Sequence, residues 1–304
     1  MKYITYKIIN TILLFFFRAK YVSNIGNTQL QKYFFDFSHH SVHLGDRFFY
    51  FPAILQLISE GADIYIDKND KTTQVLFEFI FNIKLDYIKN YKDPNIIYVT
   101  SAHSFSGKFR RFFDFKNRVL IEFDQMSQDD VIKQINKQLN LFQDFDWRKS
   151  IKKNILEFNC PVFNKINMNE KVVLFSNYIN SGFFRRFFIN ENKLIDKVRQ
   201  LKTEGCCVVH VGSKHDILSD KRKYDFVDVD LRGSTTTSEM VALISQHKKL
   251  VAVTYDNFIM HLCHMYGQST FVLFRGRFTK RSFEFHMRCV NETLITEGHR
   301  PIYL

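Results

Sequence analysis

Val251–Gly267 reads VAVTYDNFIMHLCHMYG. A β-branched run gives way to Asp256 and Asn257, and a helical pattern carrying His261 begins at once. The strand-like run Phe271-Val-Leu-Phe274 follows, which completes a β-α-β order. That order places Asp256 and Asn257 where a parallel strand meets a helix N-terminus. Backbone N–H groups are unpaired there and the helix dipole favours negative charge, so a phosphate sits there readily. Taken alone, the same residues also describe an ordinary βα turn with a capping Asp. The rest of the chain bears on the choice.

Working outward, strands and helices alternate. Tyr33–Phe37 reads as a strand, Phe48–Glu60 as a helix with Pro52 in its early turns, Ala62–Ile66 as a strand and Lys71–Phe81 as a helix. Asn95–Thr100 and Val119–Phe123 read as further strands, and Asp129–Leu156 as a long polar helix. The alternation then restarts with strand Lys171–Phe175, helix Asn192–Gly205, strand Cys206–Val211 ending at Gly212-Ser213, and a strand over Phe226–Leu231. Thr236-x-x-Glu239 is a capping-box pattern that opens a helix over Ser238–Gln246. Alternation of this kind predicts parallel sheets with helices on their faces. The fold class expected is α/β, with Rossmann-like domains over 1–160 and 161–304 that face a central cleft.

Composition narrows the function classes. The 45% hydrophobic and 24% charged content is that of a globular protein. A net charge of +12 suggests an anionic partner: a nucleotide-sugar phosphate, a lipid headgroup or a nucleic acid. Lys and Arg are spread along the chain, with small clusters such as Lys221-Arg-Lys223. There is no zinc-finger spacing or RRM aromatic signature, so no nucleic-acid partner is expected. The five cysteines show no paired spacing and read as reduced thiols of a cytosolic protein. His261-x-x-His264 has the spacing for one helix face, but no third ligand lies nearby, and no metal is expected.

At the N-terminus, an apolar stretch from Ile8 to Phe17 is shorter than a bilayer span. Lys2, Lys7, Arg18 and Lys20 surround it. Two readings stay open for residues 1–22: a helix lying on an anionic membrane surface, or a helix packed on the first domain.

The loop His43-Leu-Gly45-Asp46 falls between the first strand and its helix, at the strand end where open parallel sheets bind ligands. Gly45 permits a tight turn or a close approach of backbone to substrate. Asp46 at a helix start is also an ordinary cap residue.

Together these pieces resemble the heptosyltransferases of glycosyltransferase family 9. His43-Leu-Gly-Asp-Arg-Phe-Phe-Tyr-Phe-Pro-Ala53 is similar to the Gly-Asp…Pro-Ala segment that opens that family. Asp230-Leu-Arg-Gly-Ser-Thr-Thr-Thr-Ser-Glu239 resembles its Asp-Leu-x-Gly-x-Thr-x-x-x-Glu stretch, and Asp256-Asn-Phe-Ile-Met-His-Leu262 with Gly267 resembles its Asp-Thr-Gly-x-Met-His-Leu…Gly motif. Phe183-Phe-Arg-Arg-Phe-Phe188 falls at the family's Lys-Arg-Trp-Pro, and Val211-Gly-Ser213 at its Gly turn. The agreement in order and spacing runs from about Tyr33 to Phe274.

The resemblance implies the GT-B fold and an inverting, metal-independent sugar transfer. Asp46 would be the general base, with His43 and Gly45 in the loop on the acceptor side. Asp256 and Asn257 would hold the donor nucleotide, and Arg185 or Arg186 would neutralise the leaving diphosphate. Gly212 would line the donor side, and His261 would brace the turn. Asp228 and Asp230 are candidates for a ribose contact. No cofactor is implied beyond the nucleotide-sugar co-substrate. The expected acceptor is a lipopolysaccharide-type glycan or glycolipid, which would place the protein in the cytoplasm or on the inner face of the cytoplasmic membrane. The chain departs from the family at Asn257-Phe258, where Thr-Gly is usual, and at Phe274-Arg275-Gly276, where Phe-Gly is usual. A non-catalytic nucleotide- or glycan-binding protein on the same fold is the alternative, and a basic nucleic-acid binder ranks behind both.

Overall fold

The computed structural model describes residues 31–37, 45–89, 93–101, 114–115, 117–121, 128–142, 145–152, 164, 166–167, 169–178, 191–255, 257–273 and 302–303. The chain divides into two compact units, Met1–Ile151 and Lys152–Leu304.

In the first unit, the strands are β1 (Lys32–Phe35), β2 (Asp63–Ile66), β3 (Asp86–Tyr87), β4 (Ile96–Ser101) and β5 (Asn117–Ile121). They form a five-stranded sheet in the order β3-β2-β1-β4-β5. Its strand pairings are parallel, with Phe35 opposite Ile66 on one side and Val99 on the other. All six residues of β4 are buried, as strands covered on both faces require.

Helix α1 (Phe51–Ser59) buries Phe51 through Leu57, and α2 (Lys71–Phe81) buries Leu76, Phe77, Ile80 and Phe81. Phe51 lies 4.6 Å from Phe77 and 5.8 Å from Phe81, both edge-on, the preferred aromatic geometry. Asp70 caps α2 by accepting from the Thr73 N–H, and Asn82 closes it in the left-handed region at φ 61°. Asn tolerates that conformation better than most residues.

Two expected helices are divided. The predicted Phe48–Glu60 begins as a 3-10 turn, Asp46–Tyr50, and becomes α-helical at Phe51, with Pro52 in the opening turn. Proline is suited to that position because its missing N–H would be unpaired there anyway. The predicted Asp129–Leu156 stops as α3 (Gln128–Gln138), and Trp147–Ser150 is a separate 3-10 turn. Asn140 at φ 56° reverses the chain, and the Leu141 N–H returns to the Asn136 carbonyl at 2.8 Å.

The second unit holds β6 (Val172–Ser176), β7 (Cys207–His210), β8 (Val229–Asp230), β9 (Leu250–Tyr255), β10 (Ser269–Leu273) and β11 (Ile302–Tyr303). They form a six-stranded sheet in the order β11-β10-β9-β6-β7-β8. Its helices are α4 (Glu191–Thr203), α5 (Lys214–Ser219), α6 (Thr237–Gln246) and α7 (Phe258–Met265). Strands β6 and β9 are buried along their whole lengths. Each Val or Leu so covered stabilises the fold by about 2 kcal/mol. The predicted strand Phe226–Leu231 is only Val229–Asp230, and the six-residue α5 was not foreseen.

In each sheet the strand order changes sense beside the first strand, between β1 and β4 and between β6 and β9, while all these strands stay parallel. In open parallel sheets, the crevice at the carboxyl ends of the strands flanking such a reversal is where ligands bind.

Candidate functional site

In the second unit that point lies between the ends of β6, at Ser176, and β9, at Tyr255. Asn257 spans it. Its Nδ2 donates to Ser176 Oγ at 3.1 Å and to the Tyr178 carbonyl at 3.2 Å. Its Oδ1 accepts from the Ile259 N–H at 3.0 Å, the Met260 N–H at 3.4 Å and Thr254 Oγ1 at 3.0 Å. Asn257 therefore caps α7 and ties β9 to β6 with one side chain, using both amide hydrogens and its oxygen.

The next residue along from Ser176 is engaged elsewhere. Asn177 Nδ2 lies 2.8 Å from Glu191 Oε1, 2.8 Å from Asp220 Oδ2 and 2.9 Å from Tyr224 Oη. Its Oδ1 lies 2.9 Å from His210 Nε2. Arg222 joins the same two carboxylates, at 2.7 Å from Asp220 and 2.8 Å from Glu191.

The charges are set by this packing. Burial pushes the Asp220 carboxyl up, but donors from Arg222, Asn177 and Tyr224 together hold it well below the usual carboxylate range. Burial, and then the Arg232 charge, pull His210 down to about 4. His210 is thus neutral near pH 7, with its Nε2–H donated to Asn177 Oδ1 and its ring 4.6 Å from Phe175. Burial, followed by the Glu191 charge, pushes the Tyr224 hydroxyl up, so it stays a donor.

Arg232, only 7% exposed, fastens the end of β8. It grips the Asp230 carboxylate through Nε at 3.0 Å and Nη2 at 2.7 Å, and donates to the carbonyls of Asp220 and Arg222. The hydrogen bond from Arg232 holds Asp230 below its ordinary range. Asp228 lies at the start of β8, where it accepts from Lys202 Nζ and the Val208 N–H. Asp228 precedes the two residues of β8 at the amino end of the strand, and Asp230 closes the carboxyl end.

Gly212 follows β7, and its carbonyl accepts from the Gly233 N–H at 2.8 Å. A Cβ at Gly212 would run into the Asp216 carboxylate, which shares a capping box with Ser213. His261 is 4% exposed inside α7, and its N–H lies 3.4 Å from the Asn257 carbonyl.

In the first unit, Asp36 follows β1 at the reversal. It is 2% exposed and accepts from Tyr98 Oη at 2.8 Å. Gly45 is buried, and Asp46 opens the Asp46–Tyr50 turn. The side chain of Asp46, together with His43, Arg185, Arg186 and Asp256, lies outside the described residues.

Of the expected donor-side residues, Gly212 and Asn257 thus share the carboxyl edge of one sheet, with β6 between their strands. Gly45 and Asp46 belong to the other unit. Sequence reasoning missed Asn177, Glu191, His210, Asp220 and Tyr224, and gave Arg232 no role beyond its place in the Asp230–Glu239 stretch. Their one visible signal is an Asn directly after the apolar run VVLFS. Among the described residues, no group of three His, Cys, Asp or Glu could hold a metal ion. No helix among them is long and apolar enough to cross a membrane.

No protein-family model matches the chain, and no curated protein does. The likeness is one of fold. The glycosyl transferase family 9 protein from Veillonella parvula DSM 2008 superposes with a TM-score of 0.56 at 14% identity, over 92% of this chain and 88% of that one. The ADP-heptose LPS heptosyltransferase II of E. coli gives 0.55 at 14% identity, over 90% of each chain. Two successive Rossmann-like units matched along nearly their whole length make this a GT-B chain, similar in structure to family 9 glycosyltransferases.

Proposed function

We propose that this protein is an inverting glycosyltransferase that moves a sugar from a nucleotide-sugar donor to a lipopolysaccharide or another cell-surface glycan, with no metal. The observation that carries the reading is the fold likeness, which spans about nine-tenths of this chain. The Gly45–Asp46 turn at the first helix and the crevice beside Asn257 support it.

In the reaction, Asp46 takes the proton of the acceptor hydroxyl as that oxygen attacks the anomeric carbon. The bond from that carbon to the donor phosphate breaks, and the nucleoside diphosphate leaves with the electron pair. Arg185 and Arg186 neutralise its charge, and the positive end of the α7 dipole, just past Asp256 and Asn257, favours the diphosphate. Asn257 contributes by holding α7 against β6, and Gly212 keeps the β7 turn free of a side chain. The acceptor and the positive charge suit work at the inner face of the cytoplasmic membrane, with residues 1–22 against its anionic surface.

A second reading, a nucleotide- or glycan-binding protein without turnover, is favoured by one observation. Asn257 stands where a Thr is usual and spends its hydrogen bonds internally.

A thermal-shift screen with ADP, UDP, GDP, CMP and their sugars, with and without divalent metal, tests the donor. A selective, metal-independent shift is expected. Asp46→Ala should then lower transfer by about 10²–10⁴-fold while leaving that shift intact. Equal transfer by Asp46→Ala would remove Asp46 as the base, and binding without any transfer would favour the second reading.

A further inference from the structure

Arg47 directly follows Asp46 in the 3-10 turn Asp46–Tyr50. That turn is poorly secured by its own sequence. Gly45 precedes it without a side-chain cap, and the Phe48 N–H reaches the Gly45 carbonyl only at 3.2 Å. Hydrogen bonds of 3-10 geometry are weaker than those of an α-helix, so such turns need tertiary support.

Arg47 supplies that support from two strand ends. Its Nη1 donates to Asp70 Oδ1 at 2.5 Å and to Thr73 Oγ1 at 2.8 Å, both at the opening of α2 beyond β2. Its Nη2 donates to the carbonyl of Phe37, just past β1, at 3.4 Å. The guanidinium carbon lies 5.9 Å from the Phe37 ring centroid, within the range of a cation–π contact. The pair is largely buried, with side-chain exposures of 14% for Arg47 and 4% for Asp70.

The geometry is not that of a pair arranged for strength. A bidentate contact would use both carboxylate oxygens. Here Asp70 Oδ1 takes Arg47 and also the Thr73 N–H, while Asp70 Oδ2 and Arg47 Nε are buried without a hydrogen-bond partner. Unmet polar atoms cost stability, and buried ion pairs are in any case weak stabilisers. What the arrangement does provide is a fixed distance between the turn and the ends of two neighbouring strands.

We propose that Arg47 is a positioning residue for sugar transfer: latched to Asp70, Thr73 and the Phe37 carbonyl, it fixes the backbone turn that carries Asp46. This rests on the transferase reading above, and acts through the backbone that Arg47 shares with Asp46. Misplacing a reacting group by about 1 Å costs about 10²-fold in rate. Losing the latch therefore lowers kcat and leaves donor binding, which belongs to the second unit, unchanged.

The test uses the full chain with ADP-heptose as donor and lipopolysaccharide as acceptor. Arg47→Met, Arg47→Lys and Asp70→Asn are compared by kcat, by KM for the donor, by the ADP-induced thermal shift and by amide exchange over residues 46–50. Asp70→Asn guards against misfolding, because Asn still caps α2. Arg47→Met should lose about 10²-fold in kcat with an unchanged donor KM and ADP shift, and its amides at 46–50 should exchange faster. Arg47→Lys, a charge without the planar fork, should restore part of the rate. An unaltered kcat in Arg47→Met, or unaltered exchange over the turn, overturns the positioning role alone. Absence of transfer by the unsubstituted chain from ADP-heptose and from every nucleotide sugar of the donor screen overturns the transferase reading and the role with it.

Discussion

The two sheets share a strand order but finish their carboxyl edges in different ways. In the first unit the edge beside β1 is aromatic: Phe37 lies 6.1 Å from Phe35 and 5.3 Å from Tyr50. Among the described residues, the bond from Tyr98 to Asp36 and the Arg47 latch add polar contacts to it. In the second unit the edge beside β6 is a hydrogen-bonded mesh, with Ser176 and Tyr178 held by Asn257 and with Asn177 held by Glu191, Asp220, Tyr224 and His210. Apolar packing holds volume, whereas a satisfied polar network holds direction. In the proposed reaction that difference fits a rigid donor crevice in the second unit, and a first unit whose catalytic turn is held by packed rings together with the Arg47 latch.

The contrast is broken most forcefully from the apolar side. Phe51 is fully buried against Phe48, Phe77 and Phe81. Phe51→Ala should cost about 4 kcal/mol, the usual range for emptying such a site. Amide exchange should show the loss in β1, β2 and β4, with β6 and β9 unaffected. Equal loss in both units would mean that they unfold as one, and the comparison between them would fail.

Asn177→Leu attacks the polar edge. It removes donors from Glu191 and Asp220 and leaves the His210 Nε2–H without its acceptor. A half-buried network so broken should lose about 2 kcal/mol, read as faster exchange in β6 and β7. A smaller effect than that of a surface substitution would show the mesh to be decorative.

His210 sharpens the point through pH. Its folded value near 4 lies below the ordinary 6.5, so the unfolded chain binds the proton first as pH falls. Stability contributed by neutral His210 is therefore full above pH 6.5, declines between 6.5 and about 4, and is gone below. The drop should be about 3 kcal/mol across that window. Burial shifts His247 in the same sense, so the measurement is the difference between the parent chain and His210→Gln, in urea unfolding at each pH. Identical slopes for the two would remove His210 from the account.

Much of this architecture is legible in the sequence because it rests on local rules. The residues of α2 follow from an apolar period opened by Asp70, and their bounds agree with the reading. Pro52 and Asn140 mark where two helices expected from periodicity depart from it, since each imposes a backbone state that periodicity does not record. The polar mesh was not legible. Asn177, Glu191, His210 and the Asp220–Tyr224 segment lie apart along the chain, and the sheet order brings β6, which Asn177 follows, beside β7, which ends at His210. The cluster Lys221-Arg-Lys223 shows the same limit: Arg222 is committed to Asp220 and Glu191, while Lys221 and Lys223 stay exposed.

The smallest effect expected comes from a feature that sequence and structure describe alike. Thr236 Oγ1 accepts from the Glu239 N–H at 3.2 Å, and Glu239 Oε2 accepts from the Thr236 N–H at 2.6 Å. Thr236→Ala removes the hydroxyl acceptor, and that capping contact with it. It should cost about 1 kcal/mol, and Thr236→Ser much less because the acceptor remains. The cap secures the first turn of α6 through bonds between Thr236 and Glu239. Its loss should therefore quicken exchange in α6 and leave the amides around Ser176 and Asn177 as they were. If those amides quicken too, the carboxyl edge of the second sheet is held by the helices behind it as much as by its own side chains, and the division drawn between the two units must be redrawn at α6.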